Sequence, residues 1–211
     1  SVRQIEADCA TFSGIGEPTL ASNLGDAIDM AKLVLDLPVA VLTNSSFMLR
    51  EDVRQQLVHA DVVVAKLDVP NEELFATVNR PAPGLHFDQI VDGIRRFRDE
   101  YRGKLALQVM FIEANKDYAS EMAALAHEIS PDEVQINTPL RPCGVRPLPP
   151  ENIAEIRNVI ARSVSDEAIS KRDSSLPLGT GFENVVTVYE TPKHEVIPFD
   201  LVETLRRRPK L

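Results

Sequence analysis

Five short apolar runs, separated by stretches with helical spacing, constrain this chain more than any other feature. Residues 7–14 (ADCATFSG), 38–43 (PVAVLT), 61–67 (DVVVAKL), 105–112 (LALQVMFI) and 133–137 (EVQIN) read as strands. Residues 24–35, 50–60, 71–78, 87–101 and 118–129 read as helices. The 87–101 stretch puts Ile90, Ile94, Phe97 and Tyr101 on one face, with Gly103 to stop it. Asn71 is an N-cap candidate ahead of Glu72 and Glu73. Strands joined through helices pair in parallel, with right-handed crossovers. The expected fold class is therefore α/β: an open parallel sheet or a partial (βα) barrel.

Composition narrows the function classes. The chain has 211 residues, of which 44% are hydrophobic, enough for a sizeable core. Its formal net charge of −9 argues against general nucleic-acid binding, which is driven by phosphate neutralisation. The two cysteines, Cys9 and Cys143, cannot form a disulfide framework or a clustered thiolate site. Cys9 is expected to be buried in a strand, and Cys143 to be exposed. No apolar run reaches the roughly 18 residues of a membrane span, and the N-terminus does not read as a signal peptide. The expected location is cytoplasmic, with no membrane partner. None of the four histidines forms a metal-type pair.

After Asn137 the pattern changes. Residues 138–150 hold five prolines and read as extended chain. A helix is expected over 150–163, a linker over 171–181, a strand-like run over 185–189 and a short helix over 198–208 ending in three arginines. The expected division is a core over 1–163, with a linker and C-terminal extension over 164–211. The absence of an initiator methionine suggests a fragment or a processed product.

In parallel α/β folds, ligands sit at the carboxyl ends of the strands. Ser13-Gly14-Ile15-Gly16-Glu17-Pro18-Thr19 follows the first strand. Its glycines allow close backbone approach, Glu17 suits an ammonium group and Pro18 stiffens the turn. A plain glycine-rich turn is the alternative. Thr43-Asn44-Ser45-Ser46 follows the second strand, as a hydroxyl-binding set or as a turn and helix cap. Asp68, beside Lys66, follows the third strand, as a ligand group or a loop aspartate. Glu113 and Asn115 follow the fourth, and Asn137, Thr138 and Arg141 the fifth. Polar residues after all five strands describe a ligand-lined rim.

The run Phe12 to Leu20 (FSGIGEPTL) resembles the G-G-E-P type motif of radical S-adenosylmethionine (SAM) iron–sulfur oxidoreductases. The likeness continues through Leu42–Ser46, Lys66-Leu67-Asp68, Val78-Asn79-Arg80-Pro81 and Gln135–Pro139. It covers roughly residues 5–160 and is nearest to a branch similar to wyosine-type tRNA-modifying enzymes. The resemblance implies a partial (βα) barrel, a 4Fe–4S cluster on a C-x-x-x-C-x-x-C loop, and SAM on the unique iron. An external donor reduces the cluster, and SAM is cleaved to a 5′-deoxyadenosyl radical that abstracts hydrogen. By motif match, Gly14, Gly16, Glu17 and Pro18 approach the methionine end of SAM. Thr43, Asn44 and Ser45 lie near its carboxylate and ribose, Asn137 and Thr138 near the adenosine, and Asp68 and Arg80 close by.

The chain departs from that pattern in having no C-x-x-x-C-x-x-C segment. The expectation is a barrel missing its first strand, inactive by itself, of unknown substrate. The open side of the 7–14 strand is then covered by residues 1–8 folding back or by edge-to-edge pairing with a second copy. Residues 201–209 resemble the start of a small winged-helix-like module. Two other readings stand beside this one. One is a SAM-type binding module without redox chemistry. The other is an unrelated α/β enzyme using Glu17 and Asp68 as acid and base.

Overall fold

The computed structural model describes residues 7–14, 16–140, 143–170 and 184–190. Six strands form one sheet: β1 (Ala10–Phe12), β2 (Val39–Thr43), β3 (Val62–Lys66), β4 (Lys104–Met110), β5 (Glu133–Asn137) and β6 (Val185–Thr187). They lie side by side in chain order, and every pairing is parallel. The helices between them are α1 (Leu24–Leu35), α2 (Glu51–Leu57), α3 (Glu72–Leu74), α4 (Phe87–Glu100), α5 (Ala119–Ile129) and α6 (Pro150–Ser170). The fold is an open parallel α/β sheet of the partial (βα) barrel type.

Several elements differ by a few residues from the sequence reading, and three differences change the picture. Residues 185–187, assigned to a C-terminal extension, pair with β5 as the sixth strand. The last long helix reaches Ser170 rather than 163, and β1 holds only three residues. Cys9 therefore precedes β1 and is exposed, not buried in a strand. On its outer side β1 has no strand partner among the described residues. Of residues 1–8, expected to cover that edge, 1–6 lie outside the described residues, as do the 171–181 and 198–208 segments.

In-order parallel strands joined by crossovers of one hand put all the helices on one face. The core cluster bears this out. It joins Val39 and Val41 of β2, Val63 and Ala65 of β3, Leu105, Leu107 and Val109 of β4, and Val134 and Ile136 of β5. These pack against Ile28, Leu57, Ile94, Phe97, Met122, Ile129, Ile153 and Ile160 of the helices. Ala40, Val64 and Ala106 alternate with these residues and are buried, yet they are outside that cluster. They belong to the opposite face, which no helix covers among the described residues.

The amino-terminal end of the sheet carries the same device twice. Asp61, one residue before β3, accepts from Val39 N–H (2.7 Å) and from Lys32 Nζ (2.8 Å) in the last turn of α1. Asp132, one residue before β5, accepts from Leu105 N–H (2.8 Å) and from Arg98 (2.7 Å) in the last turn of α4. Each aspartate thus ties a strand start to its neighbour and to the helix that returns the chain. Tyr101 sits between them. Its hydroxyl donates to the Ala60 carbonyl (2.9 Å) and its ring stacks on Phe97. Burial, reinforced by the Asp61 and Asp132 carboxylates, pushes the Tyr101 phenol far above its usual value.

Two glycines are required by close approach. A Cβ at Gly93 of α4 would come within 2.5 Å of Leu49 N, and one at Gly103 would run into the Tyr101 hydroxyl and Asp61 carbonyl. Gly93→Ala and Gly103→Ala should each cost about 1–3 kcal/mol through overpacking, read as lower denaturant midpoints at unchanged m-value. Burial pushes the Asp61 carboxyl up, but Lys32 and the Val39 amide outweigh it and hold it below its ordinary value. A depressed folded pKa gives stability that is complete above the unfolded value of about 4 and is lost as pH falls through the folded one. Asp61→Asn should therefore flatten the fall in chemical-denaturation stability between about pH 5 and pH 2.

Candidate functional site at the carboxyl rim

The carboxyl end of the sheet is laced together by side chains that reach from one loop to the next strand. After β1, the Glu17 carboxylate accepts from Thr19 N–H (3.1 Å), Thr19 Oγ1 (2.7 Å), Thr43 Oγ1 (2.7 Å) and Asn44 N–H (2.7 Å). It also caps the short helical turn Pro18–Leu20, which Pro18 opens. After β2, Ser45 adopts a left-handed φ of 66° and is buried. Its hydroxyl donates to the Lys66 carbonyl (3.0 Å) at the end of β3. Asn44 makes the local turn, accepting from Ser46 N–H (3.0 Å).

After β3, the buried Asp68 carboxylate accepts from Lys66 Nζ (2.7 Å), Asn79 Nδ2 (2.9 Å) and Met110 N–H (2.9 Å) at the end of β4. Asn115, also buried, donates to the Asp68 and Met110 carbonyls (2.7 and 3.0 Å) and accepts from Ile112 N–H. After β5, Thr138 accepts from Leu148 N–H (2.8 Å), and Tyr189 donates to the Leu148 carbonyl (2.9 Å). These bonds pin the proline-rich segment against the sheet.

The rim residues therefore divide into two groups. Glu17, Thr43, Ser45, Asp68, Asn115 and Thr138 hold the loops in register. Asp68 and Glu17 are each engaged by several donors on separate loops, so neither stands as a free acid or base. The second group keeps unused polar capacity. Asn137, half-buried at the end of β5, has no side-chain hydrogen bond among the described residues. Asn44 and Ser13 are exposed, and no side-chain donation from Asn44 occurs among the described residues. One Glu17 oxygen, Oε2, holds only the Asn44 amide. Arg80 ends the π-helical turn Phe75–Asn79 in a left-handed conformation and is exposed. Glu113 pairs with Lys116 (2.6 Å) on the surface, and Arg141 lies outside the described residues.

Beside β1 an open groove of about 520 Å³ is lined by Thr11 to Gly14 and Gly16 to Pro18. Gly14 and Gly16 face it with space to spare. An added Cβ at Gly16 meets nothing within 4 Å, and one at Gly14 meets only Gly16 N at 4.0 Å. Neither glycine has a left-handed φ. Among the described residues, neither packing nor backbone conformation requires glycine at either position. A smaller cleft of about 140 Å³ between the Pro18–Leu20 turn and α2 contains Arg50 and Asp52. Those two side chains satisfy each other (2.6 Å).

The sequence reading stopped at the strand ends and missed the uncovered face. Lys66, Gln108, Gln135 and Val186 are register partners across β3, β4, β5 and β6. Lys104 and Glu133 lie on the same face, joined at 2.6 Å. The signal was available: in KLALQVM and EVQIN every second residue is polar or outside the core, the period of a strand with two different faces.

The residues present do not fit an iron–sulfur cluster. The chain's two cysteines are both exposed, one before β1 and one in the segment after β5. Among the described residues no group of three or more His, Cys, Asp or Glu could hold a metal ion. His59 pairs with Asp29 and His86 with Glu72. Among the described residues no helix is long and apolar enough to cross a membrane.

Comparison with known proteins places this geometry in context. No family model matches the chain. It is 33% identical to the UPF0026 protein MJ1312 of Methanocaldococcus jannaschii over 203 residues, 94% of this chain and 62% of that protein. It is 37% identical to a UPF0026 protein of Synechocystis over 138 residues, 65% of this chain and 52% of that one. The chain thus spans between about half and two thirds of these relatives. Among solved structures, SuiB of Streptococcus suis bound to S-adenosylmethionine is similar at a TM-score of 0.58 and 16% identity, covering 85% of this chain and 39% of that one. TYW1 with a lysine-pyruvate adduct bound gives a TM-score of 0.62 at 12% identity, covering 74% and 50%. A radical SAM methyltransferase from Sphaerobacter thermophilus gives 0.55 at 18%, covering 74% and 48%. The chain shares the fold of radical SAM barrels.

Proposed function

We propose that this chain is the SAM-binding core of a radical SAM-type oxidoreductase. The observation that carries the reading is the pair of glycines, Gly14 and Gly16, beside an open groove at the carboxyl rim, with no internal reason to be glycine. The fold shared with radical SAM barrels and the resemblance of FSGIGEPTL to their G-G-E-P type motif support it.

In this reading the backbone of Ser13, Gly14, Gly16 and Glu17 takes the methionine end of SAM. The free lone pairs of Glu17 Oε2 accept from its ammonium group. Glu17 is chiefly a positioning residue, because its other bonds to Thr19, Thr43 and Asn44 set the distance between two loops. Asn44 offers its amide nitrogen toward the carboxylate and ribose. Asn137, with both an unused donor and an unused acceptor, takes the adenosine. Ser45, Asp68 and Thr138 keep the rim in shape rather than touching the ligand.

Bound SAM would supply a 5′-deoxyadenosyl group for hydrogen abstraction once reduced. The cluster needed for that reduction, and its external electron donor, would depend on residues outside these 211. The chain alone then binds SAM without cleaving it. A second reading, a SAM-type binding module with no redox chemistry, is favoured by the two exposed, unclustered cysteines. Iron and sulfide analysis of the anaerobically purified whole gene product separates the two. Stoichiometric cluster supports the enzyme, and its absence after reconstitution supports the module.

Calorimetric titration with SAM tests the site. Gly14→Ala and Gly16→Ala should change stability by no more than about 0.5 kcal/mol, since nothing crowds either Cβ. Each should weaken SAM binding about fivefold or more, on the order of 1 kcal/mol. Unchanged affinity in both variants would remove the groove from the account.

A further inference from the structure

The hydrogen-bond direction on the uncovered sheet face is set by one carboxylate. Glu133 Oε2 accepts from Lys104 Nζ (2.6 Å) and Oε1 from Gln135 (2.7 Å). A carboxylate only accepts, so Gln135 must turn its Nε2 toward Glu133 and its Oε1 away. That oxygen accepts from Gln108 Nε2 (3.1 Å). Gln108 in turn is left with its own Oε1 unused: among the described residues nothing donates to it. Lys66 is its register partner on β3 and points to the same face. Of the three Lys66 donors, one goes to Asp68 Oδ1 (2.7 Å) and two remain.

An unused acceptor and unused donors thus stand side by side on neighbouring strands, roughly 4.8 Å apart at the backbone. Two residues toward the strand starts, Val64 and Ala106 give a small apolar floor. Across the Gln135 position, Val186 gives an apolar wall. This arrangement is polar in one line and apolar beneath.

We propose that Lys66 and Gln108 form a donor–acceptor pair that takes the planar amide edge of a substrate, a lactam or carboxamide. The substrate carbonyl accepts from Lys66 Nζ and its N–H donates to Gln108 Oε1. Glu133 and Gln135 are positioning residues: they hold the Gln108 amide in the orientation that presents its oxygen. A lone cation would select carboxylates; the oriented acceptor beside it selects a group that also donates. This inference rests on the proposed function only in treating the uncovered face as the substrate side.

The test is saturation-transfer NMR titration of the 211-residue chain with three probes: 2-piperidone, N-methyl-2-piperidone and acetate. The first should bind at least about fivefold tighter than the second, which lacks the N–H, and tighter than acetate. Gln108→Leu should erase the preference between the two lactams. Equal binding of the two lactams by the unmodified chain, or tighter binding of acetate, overturns the proposal without reliance on any variant. SAM titration of the same unmodified protein reports on the proposed function separately, so failure of one is distinguishable from failure of the other.

Discussion

Six parallel strands laid down in chain order permit only one sense of crossover, and that constraint decides the rest of the molecule. The described helices between the strands fall on one face. The core is then one-sided, with Val63, Leu105, Leu107 and Ile136 inward and Ala40, Val64 and Ala106 outside it. The other face is free to carry Lys66, Gln108, Gln135 and Glu133, residues that would be costly under a second helix layer. The same topology puts every strand's carboxyl end along one rim, where loops meet.

The rim explains why a row of polar residues is not by itself a ligand site. A loop that leaves a parallel strand exposes amides and carbonyls that need partners. Glu17, Ser45, Asp68 and Asn115 supply them, each bridging to the next strand or loop. Their role is to keep neighbouring loops at fixed spacing. Unused polar capacity and open space remain where this work leaves gaps: at Gly14 and Gly16, at the Asn44 and Asn137 side-chain amides and in the groove beside β1. Residues that hold loops and residues with unused hydrogen-bonding capacity thus alternate along one edge.

Much of the fold was legible because it rests on period and punctuation. The 133–137 strand matches its expected bounds, and the α1 helix and the Asn71 cap fall where spacing and capping chemistry put them. The 185–189 run was read as strand-like but placed in an extension, because nothing local tells a strand after a long linker to pair with β5. The short β1 left Cys9 outside the sheet. At the site, the positions of Glu17, Asp68 and Thr138 were foreseeable, but their partners were not. Which oxygen meets which amide depends on register between strands far apart in sequence. The uncovered face was missed because the runs were read as apolar strands and their alternate polar residues were assigned to no face.

The central claim is that the rim beside β1 and the end of β5 form one ligand surface on the uncovered side. Amide chemical-shift mapping of the isotope-labelled chain, titrated with SAM, tests it most directly. The account predicts perturbations confined to the amides of Ser13, Gly14, Gly16 and Glu17, to Asn44, and to Asn137 and its side chain. Shifts clustered on the outer surfaces of α1, α4 and α5, with these positions silent, would contradict it.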